Sequence, residues 1–210
     1  MDFSLFKDRI SAIDTLPTGG LDAQFKLAPK IRKQLSEDYI ENQQPKKAGV
    51  LALFYPNKHN DTCFLLTKRA SYNGTHSAQI SFPGGKFEAN DIDLKNTALR
   101  ETFEEVGIKK NTISVFKEMT NVYIPPSNFL VTPFLGITYQ SPQFRTNHEV
   151  EELIQVTLDD FLNKTVISTT ILSTSYAKEI KVPCFKLNSY IVWGATAMML
   201  NEIRELLKNI

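Results

Sequence analysis

The chain has 210 residues, a length that suits one domain with extensions and can bury a sizeable core. Lys and Arg number 24 against 23 Asp and Glu, so a net charge of +1 excludes any overall electrostatic case for nucleic acid or an anionic membrane as partner. A local phosphate-binding cluster is still allowed. Cys63 and Cys184 form no CxxC, which argues against a zinc site or disulfide framework and for buried thiols in a reducing cytoplasm. The opening "MDFSLFKDRI" carries charges where a signal peptide needs apolar residues, and no segment approaches the roughly 20 apolar residues of a membrane span. The expected location is cytoplasmic.

Residues 1 to 45 read as a helical extension, broken at "PTGG" (17–20), with "FKLAPKIRKQLSEDYI" partly amphipathic. After the polar "NQQPKK" the pattern changes to strands: "AGVLALFY" (48–55), "TCFLLTKR" (62–69) and "AQISF" (78–82). "NKHND" joins the first two as a hairpin turn. A helix follows within "DIDLKNTALRETFEEVGI", and then "TISVFKEM" (112–119), "NFLVTPFLGITY" (128–139) and "EELIQVTL" (151–158) read as further strands. The two prolines of "YIPPSN" set a loop before the second of these. "VPCFKLNSYIVWGA" reads as a hairpin, and "TAMMLNEIRELLKNI" as a closing helix with Met199, Ile203, Leu206 and Ile210 as its core stripe. The order predicts an α/β fold, a mixed sheet between helices.

The central helix carries the chemistry. With Glu101 at zero on a wheel of about 100° per residue, Glu104 falls near −60° and Glu105 near +40°. Ile92, Leu99, Phe103 and Val106 group on the opposite side, the expected buried face. Three carboxylates on one face repel each other, and they sit near a helix C-terminus, where the dipole disfavours negative charge. A bound divalent cation would offset that cost, and oxygen ligands suit Mg²⁺ or Mn²⁺ rather than zinc. Gly84 and Gly85 follow a strand directly and allow a tight turn and a close backbone approach, with a carbonyl available to a metal. Gly107 is placed to end the helix.

Glycine turn, spacer, Arg100-Glu101, Glu104-Glu105, Gly107 and Ile108 in this order resemble the Nudix box, Gly-x5-Glu-x7-Arg-Glu-U-x-Glu-Glu-x-Gly-U, where U is bulky and aliphatic. Counted from Gly85, Asp91 stands at the first acidic position, the spacer to Arg100 is one residue longer, and Thr102 replaces an aliphatic residue. The segment before the box, "LLTKRA…FPGG", is similar to that of the coenzyme A pyrophosphatase subfamily through Leu65, Leu66, Thr67, Arg69, Phe82, Pro83, Gly84 and Gly85. Gly74 stands where that pattern has Arg and Ala78 where it has Gly; "YIPPSNFLVTPFLG" and "WGATAMML" extend the likeness.

The resemblance implies a Nudix α/β/α sandwich with a core over 46–165, the box over 84–108, and a C-terminal hairpin and helix over 166–210. It implies metal-dependent hydrolysis of a diphosphate, with coenzyme A or acyl-CoA giving 3′,5′-ADP and (acyl-)4′-phosphopantetheine. ADP-ribose, NADH or another dinucleotide is the alternative substrate. A nucleotide-sensing module without catalysis is the reading from another class; loss of the box glutamates or an added DNA-binding domain would mark it. By the same resemblance Glu101, Glu104 and Glu105 are metal ligands together with the Gly84 carbonyl, and Glu101, Arg100 and Glu104 are the catalytic set. Arg69, Lys68, His76, Gln79 and Phe82 are candidates to bind substrate. Glu149 and Glu152, with Glu151 beside them, are candidates for a base or a further ligand. A small nucleotide-diphosphate is the expected partner, without nucleic acid or membrane, and a homodimer is compatible with the sequence.

Overall fold

The computed structural model describes residues 1–70, 79–172 and 179–208. His76, Gly74 and Ala78 lie outside them. Three helices come first: α1 (Phe3–Thr15), capped by the Asp2 side chain, then α2 (Gly20–Phe25) and α3 (Glu37–Asn42). The strands β1 (Lys46–Pro56), β2 (Thr62–Arg69), β3 (Ile80–Ser81) and β4 (Gly84–Lys86) lead into α4 (Leu94–Val106). Then come β5 (Ser114–Glu118), β6 (Val122–Ile124), β7 (Phe129–Ile137), β8 (Val150–Thr157) and α5 (Leu158–Leu162). The described chain closes with β9 (Ile167–Leu172), β10 (Ile180–Leu187), β11 (Tyr190–Trp193) and α6 (Gly194–Leu207).

β1 is the axis of the large mixed sheet. It runs parallel to β7 along nine residue pairs, antiparallel to β2 at one end and antiparallel to β4 at the other. Buried on both faces, it reads as an unbroken apolar run rather than an alternating one. Leu51, Leu53 and Tyr55 face α4, while Val50, Ala52 and Phe54 face the second core with α1 and α6. Helices on both faces make the expected α/β/α arrangement. β8 extends the sheet beyond β2, and β5 and β6 lie end to end on the outer edge of β7. The break between them falls opposite Pro133, whose carbonyl accepts from Met119 but which has no amide to give back.

Several expectations shift. β3 is shorter than "AQISF", β4 stands where the sequence shows only a glycine turn, and β6 and β9 are strands that the sequence pattern does not mark. β9, β10 and β11 form a separate antiparallel sheet against α6, with Asn188 and Ser189 turning the hairpin at positive φ. α6 is buried nearly all round, not along one stripe. It therefore holds Glu202 and Arg204 in the interior, both matched by hydrogen bonds. Glu202 accepts from Gln24, from Thr120 and from the Gly20 amide; Arg204 donates to the carbonyls of Phe161, Leu162 and Asn163. These bonds tie the N-terminal helices and α5 to the closing helix.

Candidate active site

α4 starts at Asp93, whose carboxylate caps the Asn96 amide, and ends at Gly107 in the left-handed conformation. Its buried face is the expected one only in part: Leu99 and Val106 are buried. Ile92 precedes the helix and is 86% exposed, and Phe103 is 50% exposed. The helix instead packs through Ala98, Thr102, Glu105 and Val106, a stripe rotated toward the acidic face. Close approach of backbones explains this. A Cβ at Gly49 on β1 would stand 2.2 Å from the Leu94 carbonyl oxygen, so helix and strand meet where only small residues fit. Thr102 suits that stripe because its hydroxyl donates to the Ala98 carbonyl at 2.7 Å.

The rotation separates the three glutamates. Glu105 is buried at 3% exposure, its carboxylate accepting from the Gly84 amide at 3.2 Å and facing Arg69 at 3.6 Å. Burial pushes it up to about 7, against the pull of Arg69 and the Gly84 amide. Glu101 is half-buried and raised above the usual carboxylate range, again chiefly by desolvation. It lies against Gly85, where a Cβ would come within 2.3 Å of its oxygen. Glu104 is the outermost of the three. Gly84, at φ +152, pairs with Val50, and any Cβ there would strike the Gly49 carbonyl oxygen at 2.4 Å.

Arg100 organises the group. It grips Asp91 with two hydrogen bonds of 2.9 Å and reaches Glu101 at 3.0 Å, Glu104 at 3.2 Å and the Lys86 carbonyl at 3.1 Å. Arg100 thus pairs with both Glu101 and Glu104, but Asp91 is its strongest partner. Arg100 holds the Asp91 carboxyl well below its usual range. The longer spacer between these two residues thus closes into a bidentate pair that orients the acidic face.

β2 ends by presenting alternate side chains to opposite sides. Arg69 faces Glu105 and Glu149, whereas Lys68 turns to Glu151 at 2.5 Å. Glu149 reaches the cluster because the segment before β8 caps α4: the amides of Arg145 and Asn147 donate to the carbonyls of Val106 and Glu105. Glu152 accepts from the Tyr190 hydroxyl instead. The structure gathers Asp91, Arg100, Glu101, Glu104, Glu105, Gly84, Gly85, Arg69 and Glu149, and leaves Lys68, Glu151 and Glu152 apart. A cavity of about 580 Å³ opens beside this cluster, lined by Arg69, Gln79, Phe82, Gly84, Gly85 and Lys86 on one side. Its other walls are largely apolar, among them Ile124, Phe129, Trp193 and Met199. Phe82 is both wall and core, fully buried near Phe64.

Among the described residues, no three His, Cys, Asp or Glu side chains stand together closely enough to hold a metal ion. Arg100 engages Glu101 and Glu104, and Glu105 turns to Gly84. The donor chemistry nonetheless fits a hard divalent cation: carboxylate oxygens, two of them raised by burial, with neither thiolate nor imidazole among them.

The NUDIX domain family model matches residues 45–170. The chain belongs to the Nudix family. Nudix hydrolase 22, chloroplastic, of Arabidopsis thaliana is 30% identical over 164 residues, covering 75% of this chain and 54% of that protein. This chain therefore spans about half the length of that plant Nudix protein. Uncharacterized Nudix hydrolase NudL of Pectobacterium atrosepticum is 30% identical over 185 residues, 86% of this chain and 88% of that one. The peroxisomal coenzyme A diphosphatase ndx-8 of Caenorhabditis elegans is 27% identical over 168 residues, 79% of this chain and 70% of that one. Among solved structures, the Nudix hydrolase RenU from M. smegmatis superposes with a TM-score of 0.55 at 16% identity, over 79% of this chain and 88% of that chain, a likeness of Nudix fold. No helix among the described residues is long and apolar enough to cross a membrane.

Proposed function

We propose that this chain is a divalent-metal-dependent pyrophosphatase whose substrate is coenzyme A or an acyl-CoA. Water adds across the phosphoric anhydride, one P–O bond breaks, and 3′,5′-ADP and (acyl-)4′-phosphopantetheine leave. The observation that carries the reading is the position of the apolar cavity, which is walled by Gly84, Gly85 and Arg69, the residues that Glu101 and Glu105 lie against. A pantetheine arm or acyl chain suits those walls better than the second sugar of a dinucleotide. The name of the Caenorhabditis elegans relative supports the same substrate.

Glu101, Glu104 and Glu105, with the backbone at Gly84, would hold Mg²⁺ or Mn²⁺, which screens diphosphate charge and acidifies a bound water. Arg100, fixed by Asp91, orients Glu101 and Glu104. Arg69 and Lys86 both line the cavity and bring positive charge to the phosphates of such a substrate. Glu101, beside Gly85, is placed to take a proton from water; Glu149 is the other carboxylate within the group.

The test is to incubate the protein with Mg²⁺ or Mn²⁺ and CoA, an acyl-CoA, NADH or ADP-ribose, and to identify products by mass. 3′,5′-ADP from CoA or acyl-CoA is the expected product. Faster cleavage of ADP-ribose or NADH would shift the assignment to a dinucleotide or nucleotide-sugar hydrolase. No cleavage of any of them would leave only a sensing module.

A further inference from the structure

The floor of the cavity is a row of side chains across the large sheet. Lys86 on β4 stands opposite Ala48 on β1, Ala48 opposite Val131 on β7, and Val131 opposite Val122 on β6. Residues paired in this way point to one face, and Lys86, Ala48 and Val131 all line the cavity. Three strand spacings separate the ends of the row, roughly 14 Å. One end is cationic, with Lys86 and with Arg69, which faces the Glu105 carboxylate bound to the Gly84 amide. The other end is apolar: Ile124, Pro125, Pro126 and Phe129 line it where β6 meets β7.

The N-terminal stretch, outside the family match, completes the apolar end. The Arg32 amide donates to the Pro29 carbonyl at 2.8 Å and its guanidinium donates to the Tyr123 carbonyl, which fixes the turn from Pro29 to Arg32 against β6. Pro29 and Ile31 both line the cavity; Pro29 is buried, whereas Ile31 is 63% exposed. An apolar side chain held at the rim of an apolar cavity is stabilised when an apolar ligand covers it.

The substrate has a matching length. The pantetheine arm runs about twelve bonds from its phosphate ester oxygen to its sulfur, as many as four residues of backbone, and so spans at most roughly 14 Å. With the diphosphate at the cationic end, the sulfur arrives at the apolar end, and the group it carries meets Ile31. We infer that the N-terminal turn is an acyl-recognition element and Ile31 a specificity-determining residue: the acyl chain of a CoA thioester seats between Ile31 and the Ile124–Pro126 segment. The inference rests on the pyrophosphatase reading for the placing of the diphosphate, yet it can be tested without turnover.

Trp193 is the single tryptophan of the chain and lines the cavity, so its fluorescence reports occupancy. Wild type and variants are titrated with 4′-phosphopantetheine and with its S-hexanoyl ester, neither of which holds an anhydride to cleave. A fully buried methylene strengthens binding about fourfold, so even a half-covered hexanoyl chain should bind about tenfold or more tightly than the free thiol. Ile31→Asp should cut that ratio to below about threefold, and Ile31→Leu should keep it. Melting curves check that each variant folds; Ile31→Ser serves if the aspartate variant does not. A wild type without the preference, or an Ile31→Asp or Ile31→Ser protein whose ratio is unchanged, overturns the acyl seat. CoA cleavage by a wild type without the preference removes the seat and keeps the pyrophosphatase reading. A wild type that shows the preference, loses it in the variant and cleaves no CoA or acyl-CoA keeps the seat and removes that reading.

Discussion

Glu105 is where the acidic face and the core compete for one side chain. Burial raises its pKa to about 7, so its proton is held more tightly folded than unfolded. That contribution is complete below the ordinary value of 4.5 and is lost as pH rises from there through about 7. Glu105→Gln keeps an oxygen for the Gly84 amide and removes the charge. In EDTA the variant should melt several degrees above wild type at pH 8 and match it at pH 5. A variant less stable at pH 8 would mean that the Arg69 pair outweighs burial. Asp91 runs the other way: Arg100 holds it low, so its contribution is present above 3.8 and fades as pH falls below that. With metal present, Glu104→Gln and Glu105→Gln should each lower turnover by orders of magnitude without loss of fold. Undiminished hydrolysis by the double variant in EDTA would remove these residues from the chemistry.

At the scale of elements, the meeting of β4 with α4 distinguishes two adjacent glycines. Gly84 is pressed against the backbone of β1 at a positive φ that side chains rarely adopt, so neither neighbour nor residue can yield. Gly84→Ala should destabilise the fold by about 3 kcal/mol or more. Gly85 faces only the carboxylate of Glu101, the free end of a long side chain. Gly85→Ala should therefore leave the melting temperature within a few degrees and lower turnover at least about tenfold by displacing Glu101. Thermal melts and metal-dependent hydrolysis of both variants separate the two effects. Equal stability loss in both would show that Glu101 is fixed as firmly as backbone.

At the scale of the whole molecule, α6 holds the terminal segments to the core through buried polar groups rather than through its apolar stripe alone. Glu202 has three donors around it, two from α2 and one from the loop before β6. Glu202→Ala leaves those donors without an acceptor and should cost about 3 kcal/mol or more. Chemical denaturation measures the loss. A change within about 0.5 kcal/mol would show that apolar packing alone carries the contact.

The strand run from residue 48, the hairpin at "NKHND", the glycine end of α4 and the acidic motif were legible in the sequence because each rests on local rules. These are apolar periodicity, turn residues that tolerate their backbone, and a glycine stop. Which face of α4 is buried was not legible: the wheel counts apolar residues, but Gly49 lets the helix backbone settle so close that small Ala98 and Thr102 win over Phe103. The bond between Asp91 and Arg100, the arrival of Glu149 beside Glu105, and the parting of Lys68 from Arg69 also depend on neighbours distant in the chain. The sequence alone determined which residues could carry the chemistry; only the tertiary structure decided which of them meet, because burial and close backbone approach are properties of the packed elements together.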